Sequence, residues 1–149
     1  MIVEKVMTKK VITLKSDYSM FKAAQVLYDN AISGAPVIND KKKIVGIISE
    51  KDVFRALHPS YQDYIKKDVL PNNFEEMEQQ ARNLKTKKVK DFMNRDLLIV
   101  TPQTPIMKAG ALMLAKGYNR IPVVENNKVI GLVSRREIYH NIFKNNLDL

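Results

Sequence analysis

Sliding the chain past itself by 86 positions lays one half over the other: residues 6–37 fall on residues 92–123 without a gap. Met7 meets Met93, Lys22 meets Lys108, Ala23 meets Ala109, Pro36 meets Pro122 and Val37 meets Val123. One residue drops out in the following turn, and at a register of 85 Ile44-Val45-Gly46-Ile47-Ile48-Ser49 lies over Val129-Ile130-Gly131-Leu132-Val133-Ser134. Identities are few, but apolar and turn positions agree almost throughout, which marks a duplicated unit. Both copies must therefore reach the same fold.

Each copy carries the same succession of patterns. A short β-rich run (residues 11–14; residues 97–100) leads to a polar break. Met20, Ala23, Ala24, Leu27 and Ala31 then recur on one helical face, matched by Ile106, Ala109, Gly110, Met113, Leu114 and Gly117. The small residues at Ala23/Ala24 and Ala109/Gly110 let that helix lie close against a sheet. Two strands follow (35–38 with 44–49; 121–124 with 129–134), joined by polar turns at 39–41 and 125–127. A second helix starts directly after Ser49 or Ser134. The unit is β-α-β-β-α, an α/β (α+β) fold in two tandem copies, at 1–58 and 87–149. Between them, 59–86 has no match; its prolines and the spacing of Phe74, Met77, Ala81 and Leu84 suggest helices near 60–68 and 74–85, as packing or linkage.

With 45% hydrophobic residues the chain can bury a core and falls outside the disordered class. It has no cysteine, so disulfides and thiolate metal sites are excluded, in keeping with a reducing cytoplasm. The opening Met1-Ile2-Val3-Glu4-Lys5 lacks the apolar core of a signal peptide. No apolar run reaches the length of a membrane helix, roughly 20 residues. A soluble, intracellular protein without a membrane partner is expected. The net charge of +9 asks for an anionic partner. Its densest runs, Lys41-Lys42-Lys43 and Lys85, Lys87, Lys88, Lys90, lack interleaved aromatics, so a solvated basic surface is favoured over nucleic-acid binding.

Candidates for catalysis are thin. His58 and His140 are each expected at the end of a second helix, where an imidazole more often meets helix-end carbonyls than acts as a base. No Ser/His/Asp arrangement, metal-ligand spacing or Gly-rich phosphate loop stands out, so no catalytic residue, metal site or catalytic cofactor is assigned. What recurs is Gly-h-h-Ser-x-x-acid (h apolar), at Gly46-Ile47-Ile48-Ser49-Glu50-Lys51-Asp52 and Gly131-Leu132-Val133-Ser134-Arg135-Arg136-Glu137. Serine followed three residues later by an acid is a helix-capping pattern. The same geometry points amide donors at a phosphate, while the acid can accept both hydroxyls of a ribose.

In their order, these motifs resemble a tandem pair of CBS (cystathionine-β-synthase-type) domains, often called a Bateman module. The resemblance rests on Val3-Glu4-Lys5-Val6-Met7 and Val89-Lys90-Asp91-Phe92-Met93, on Gly34-Ala35-Pro36-Val37 and Arg120-Ile121-Pro122-Val123, and on the two Gly-h-h-Ser segments. It implies pseudo-twofold packing of the repeats and dimerisation. It also implies clefts for adenosyl ligands such as AMP, ADP, ATP, S-adenosylmethionine or cyclic di-AMP. Carried over by position, Asp52 takes the ribose and Ser49 the ribose or phosphate. Gly34, Ala35 and Pro36 line the adenine through backbone groups, with Thr13 nearby. The second copy offers Asn119, Arg120, Ile121, Pro122, Ser134, Arg135 and Arg136, with Arg120 at a phosphate-binding position. It departs from the family pattern at Glu137, which stands where the family has Asp.

The leading expectation is a non-enzymatic module that senses an adenine nucleotide and signals by contact to a protein partner, working as a homodimer. The alternative is a basic nucleic-acid-binding regulator, supported by charge alone. A nucleotide-hydrolysing enzyme lacks any base or metal ligands in this sequence.

Overall fold

The computed structural model describes residues 1–57 and 80–147. The chain opens with a 3-10 turn (Val3–Lys5), then runs β1 (Leu14–Lys15), α1 (Met20–Asp29), β2 (Gly34–Ile38), β3 (Ile44–Ser49) and α2 (Glu50–Ala56). After a 3-10 helix (Gln80–Thr86) come α3 (Val89–Phe92), α4 (Ile106–Lys116), β4 (Arg120–Glu125), β5 (Lys128–Ser134) and α5 (Arg135–Asn146). The residues divide into two compact units, one of Thr13–Lys41 and Val45–Arg95, the other of Met1–Ile12, Lys42–Ile44 and Asp96–Leu149. No helix among the described residues is long and apolar enough to cross a membrane.

In the first of these units α1 starts where the Ser19 hydroxyl accepts the Lys22 N–H at 3.0 Å, a standard N-cap. Its apolar stripe then buries Met20, Ala23 and Leu27. β2 lies between β1 and β3, and β1 runs parallel to it with Leu14 opposite Val37. The core of Leu14, Met20, Ala23, Leu27, Ala35, Val37, Ile48 and Ala56 is completed by Leu84, Val89 and Met93. Leu84 comes from the connecting segment, and Val89 and Met93 from the opening of the second sequence repeat. Backbone bonds fix them: Val89 N–H to Tyr18 C=O at 2.9 Å, Lys90 N–H to Ser16 C=O at 3.1 Å and Met20 N–H to Lys87 C=O at 2.7 Å.

The other unit repeats this arrangement. Val3 N–H donates to Thr104 C=O at 2.8 Å, Glu4 N–H to Pro102 C=O at 3.0 Å and Ile106 N–H to Met1 C=O at 3.1 Å. Every partner is the residue 86 positions from its counterpart in the first set. Val100 bridges Val123 in parallel, as Leu14 pairs with Val37. β4 and β5 form an antiparallel hairpin with an irregular register at Val123/Val124. Its turn residues Asn126 and Asn127 both take positive φ, 51° and 64°. Two successive positive φ values are the requirement of a type I′ turn. The core gathers Val3, Val100, Ile106, Ala109, Met113, Ile121, Val123, Val133 and Ile138. In both units, then, the opening segment of one sequence repeat packs with the body of the other.

Some local expectations change. The first strands are shorter than 11–14 and 97–100: the first is Leu14–Lys15, and in the second Val100 alone makes a bridge, because pairing is confined to the few residues beside Val37 and Val123. Ala31 lies beyond α1 at φ 50°, and Gly117 terminates α4 at φ 73°. Both form left-handed helix stops instead of facing the core. Gly110 packs against α5, where an added Cβ would stand 3.1 Å from Ile138 Cγ2, so its small size serves a helix contact. His140 sits exposed in mid-α5 instead of at its end. His58, the helix near 60–68 and most of the one near 74–85 lie outside the described residues, and Gln80–Thr86 at the latter's end is a 3-10 helix.

Candidate functional site

The two Gly-h-h-Ser junctions are built alike. In the first, Ser33 C=O accepts the Glu50 N–H at 2.9 Å, tying the start of β2 to the start of α2. Gly34 follows, and a Cβ there would come within 3.1 Å of Ile48 C=O and 3.6 Å of Ser49 Cβ. Glycine permits that close approach. Ala35 and Pro36 are buried behind it. Asp52 is a buried carboxylate, 5% exposed. Its Oδ2 accepts the Ser49 N–H at 2.8 Å and the Ser49 hydroxyl at 3.0 Å, and its Oδ1 pairs with the exposed Arg55 guanidinium. A buried charge held by two donors and a cation is satisfied. Thr13 lies half-buried just before β1.

In the second junction Asn119 C=O accepts the Arg135 N–H at 2.9 Å, the same tie. Ile121 and Pro122 are buried like Ala35 and Pro36. Ser134 and Glu137 form a reciprocal capping box. Glu137 Oε2 accepts the Ser134 N–H at 2.7 Å, and the Ser134 hydroxyl accepts the Glu137 N–H at 3.1 Å. Arg120 lies directly opposite Ser134 in the β4–β5 register. Arg120, Arg135 and Arg136 are all exposed, so three guanidinium-bearing residues surround the start of the 12-residue helix α5.

Two residues at these junctions escaped sequence reasoning. The Thr8 hydroxyl donates to Glu137 Oε1 at 2.9 Å, so both oxygens of that carboxylate are engaged. Arg55 pairs with Asp52 one turn along α2. The i,i+3 spacing of Asp52 and Arg55 is readable in sequence. The Thr8–Glu137 bond spans 129 positions and has no local signal.

The lysine run is largely engaged by its own unit. Lys85 stands over the Phe21 ring at 5.0 Å and Lys87 over the Phe92 ring at 5.8 Å. Both are cation–π distances. Lys87 also donates to Ala56 C=O at the end of α2. Lys88 reaches Asp17 C=O at 3.3 Å, and Lys90 lies 4.0 Å from the Asp17 carboxylate. Among the described residues no three His, Asp or Glu side chains converge on a potential metal position.

Comparison with known proteins agrees with this arrangement. The CBS domain family matches residues 3–59 and 89–144. An uncharacterised protein of Methanocaldococcus jannaschii is 31% identical over 144 residues, covering 87% of this chain and 84% of its own. Longer relatives exist too: the match to an inosine-5′-monophosphate dehydrogenase of the same organism, also 31% identical, spans 22% of that enzyme. Among solved structures, the CBS-pair protein CBSX2 of Arabidopsis thaliana superposes with a TM-score of 0.78 at 25% identity, covering 99% of this chain and 98% of its own. CBSX2 in complex with AMP gives 0.72 at 25% identity, with 96% of each chain covered. The duplicated sequence, the duplicated hydrogen bonds and these matches lead to one conclusion: the chain belongs to the CBS domain family and carries two CBS repeats.

Proposed function

We propose that this CBS pair is a sensor that binds an adenosyl nucleotide, has no catalysis of its own, and passes its ligand state to a protein partner. The observation that carries the reading is the likeness over nearly the whole chain to CBSX2, a CBS-pair protein solved with AMP. The junction geometry supports it. At the first junction, backbone groups of Gly34, Ala35 and Pro36 meet the adenine, with Thr13 beside them. Asp52 and Ser49 face the ribose, whose hydroxyls take the Oδ1 position now shared with the exposed Arg55. At the second, Asn119, Ile121 and Pro122 form the base-binding edge, while Arg120, Arg135 and Arg136 with Ser134 meet the phosphate at the start of α5. Glu137, held by Thr8 and Ser134, is the weaker ribose acceptor, so the two sites are unequal. AMP is the first ligand to test; ADP, ATP, S-adenosylmethionine and cyclic di-AMP share the adenosyl group. The protein acts as a cytoplasmic homodimer, supported by its lack of cysteine and by apolar helix residues that remain exposed in both units.

Calorimetry on two variants tests the assignments. Arg120→Ala weakens AMP by about 1.5–3 kcal/mol, the range for hydrogen bonds to charged groups, and leaves adenosine nearly unchanged. Asp52→Asn weakens adenosine and AMP alike, because the ribose is common to both. Equal losses for adenosine and AMP in Arg120→Ala remove the phosphate role.

A further inference from the structure

The two capping carboxylates are restrained from different parts of the chain. Asp52 Oδ1 pairs with Arg55, which stands one turn along the same helix with 64% of its side chain exposed. At the register of 85, His140 takes Arg55's place in the second repeat, and it too is exposed. There the carboxylate's partner comes from the opening segment instead. The Thr8 hydroxyl donates to Glu137 Oε1 at 2.9 Å, while Oε2 accepts the Ser134 N–H at 2.7 Å. Thr8, Ser134 and Glu137 belong to one compact unit, and Ser49, Asp52 and Arg55 to the other.

The two partners differ in how readily they give way. An exposed guanidinium on a long side chain returns to water at little cost, because exposed ion pairs contribute little to stability. Thr8 has no such freedom. Its N–H donates to Leu132 C=O at 2.8 Å and its C=O accepts the Leu132 N–H at 2.9 Å, so its backbone is pinned to β5. Met7, immediately before it, packs on Gly131 and holds the same segment in place. The hydroxyl is one stiff β-branched torsion from that backbone. A ribose can therefore displace Arg55 from Asp52, but at Glu137 Oε1 it meets a fixed hydroxyl.

We propose that Thr8, by holding Glu137, closes the second junction to an unphosphorylated nucleoside. This assignment rests on the adenosyl-binding reading and adds what each junction accepts. Adenosine, with only a base and a ribose to offer, occupies the first junction alone. AMP occupies both. At the second, its phosphate meets Arg120, Arg135 and Arg136 around the start of α5, and those charge-assisted bonds offset the ribose contact that Thr8 denies.

Calorimetric titration of the full chain with adenosine and with AMP tests this, on wild type, Thr8→Val and Thr8→Ser. Valine keeps the branching and size of threonine and both backbone bonds but lacks the hydroxyl; serine keeps the hydroxyl. Thr8 is exposed, so neither change disturbs a core. The expected result is one adenosine and two AMP per chain for wild type and Thr8→Ser, and two of each for Thr8→Val. At the second junction the valine variant gains at least about tenfold in adenosine affinity, the scale of one hydrogen bond to a charged group. Two adenosines on the wild type overturn the closure whatever the variants do. One adenosine on Thr8→Val, or two on Thr8→Ser, overturns the role of Thr8. A single AMP on the wild type also overturns the proposal, since the second junction then takes neither ligand. No binding of either ligand to any of the three proteins removes the adenosyl reading itself.

Discussion

Ala31 and Gly117 occupy the same position in the two repeats, and both take left-handed backbone angles, φ 50° and 73°. Glycine adopts that conformation freely, whereas the Cβ of an alanine crowds the following carbonyl oxygen, a cost of about 1–2 kcal/mol. Ala31→Gly should therefore stabilise the protein by about 1 kcal/mol, and Gly117→Ala should destabilise it by a similar amount. Denaturant titration of the two variants checks both signs. Ala31 also shows how far local pattern carries. Its apolar character put it on the helix face in sequence, yet the helix stops two residues earlier and the residue is exposed. Gly117 was legible as a helix stop by type, and its partner in the other repeat hid the signal. At the junctions, the capping roles of Ser49, Asp52, Ser134 and Glu137 follow from the Ser-x-x-acid spacing alone. Thr8 on Glu137 does not, because only the folded chain brings residue 8 to residue 137.

Between elements, the duplication is most exact in backbone bonds that sequence cannot show. Met7 packs on Gly131 and Met93 on Gly46, with each methionine followed by a residue that bridges the neighbouring strand. The correspondence of Met7 with Met93 was legible in sequence, but the strands on which they dock were not. The two glycines should differ in tolerance. A Cβ on Gly46 meets Met93 Cγ at 2.9 Å and the Asn94 backbone oxygen at 3.1 Å, whereas the three atoms nearest to one on Gly131 all belong to the flexible Met7 side chain. Gly46→Ala should cost about 1–3 kcal/mol, the usual range for overpacking, and Gly131→Ala should cost less. A larger loss for Gly131→Ala in thermal or denaturant unfolding contradicts this account of the two contacts. The strand pairs 35–38 with 44–49 and 121–124 with 129–134 were read within a residue of their bounds, from short apolar runs joined by polar turns. The first strands were overestimated, since β-propensity at 11–14 and 97–100 exceeds what the sheets pair.

For the molecule as a whole, compact units and sequence repeats are cut differently. The unit holding α1, β2 and α2 draws Leu84, Val89 and Met93 into its core, all from beyond the first repeat. A fragment of residues 13–95 should accordingly fold with cooperative unfolding, while a fragment of residues 1–58 should not. Circular dichroism melts of the two fragments test this; a cooperative transition in 1–58 alone is the contrary result. The claim that depends on the entire chain is adenosyl recognition, and a thermal-shift comparison of AMP with GMP tests it most directly. At a ligand concentration about 100 times the dissociation constant, binding adds about 2.7 kcal/mol of stability. For a chain of this size that raises the melting temperature by roughly 5–11 °C. The account predicts such a rise with AMP and none with GMP; no rise with AMP, ADP, ATP, S-adenosylmethionine or cyclic di-AMP at millimolar concentration, or an equal rise with GMP, contradicts it.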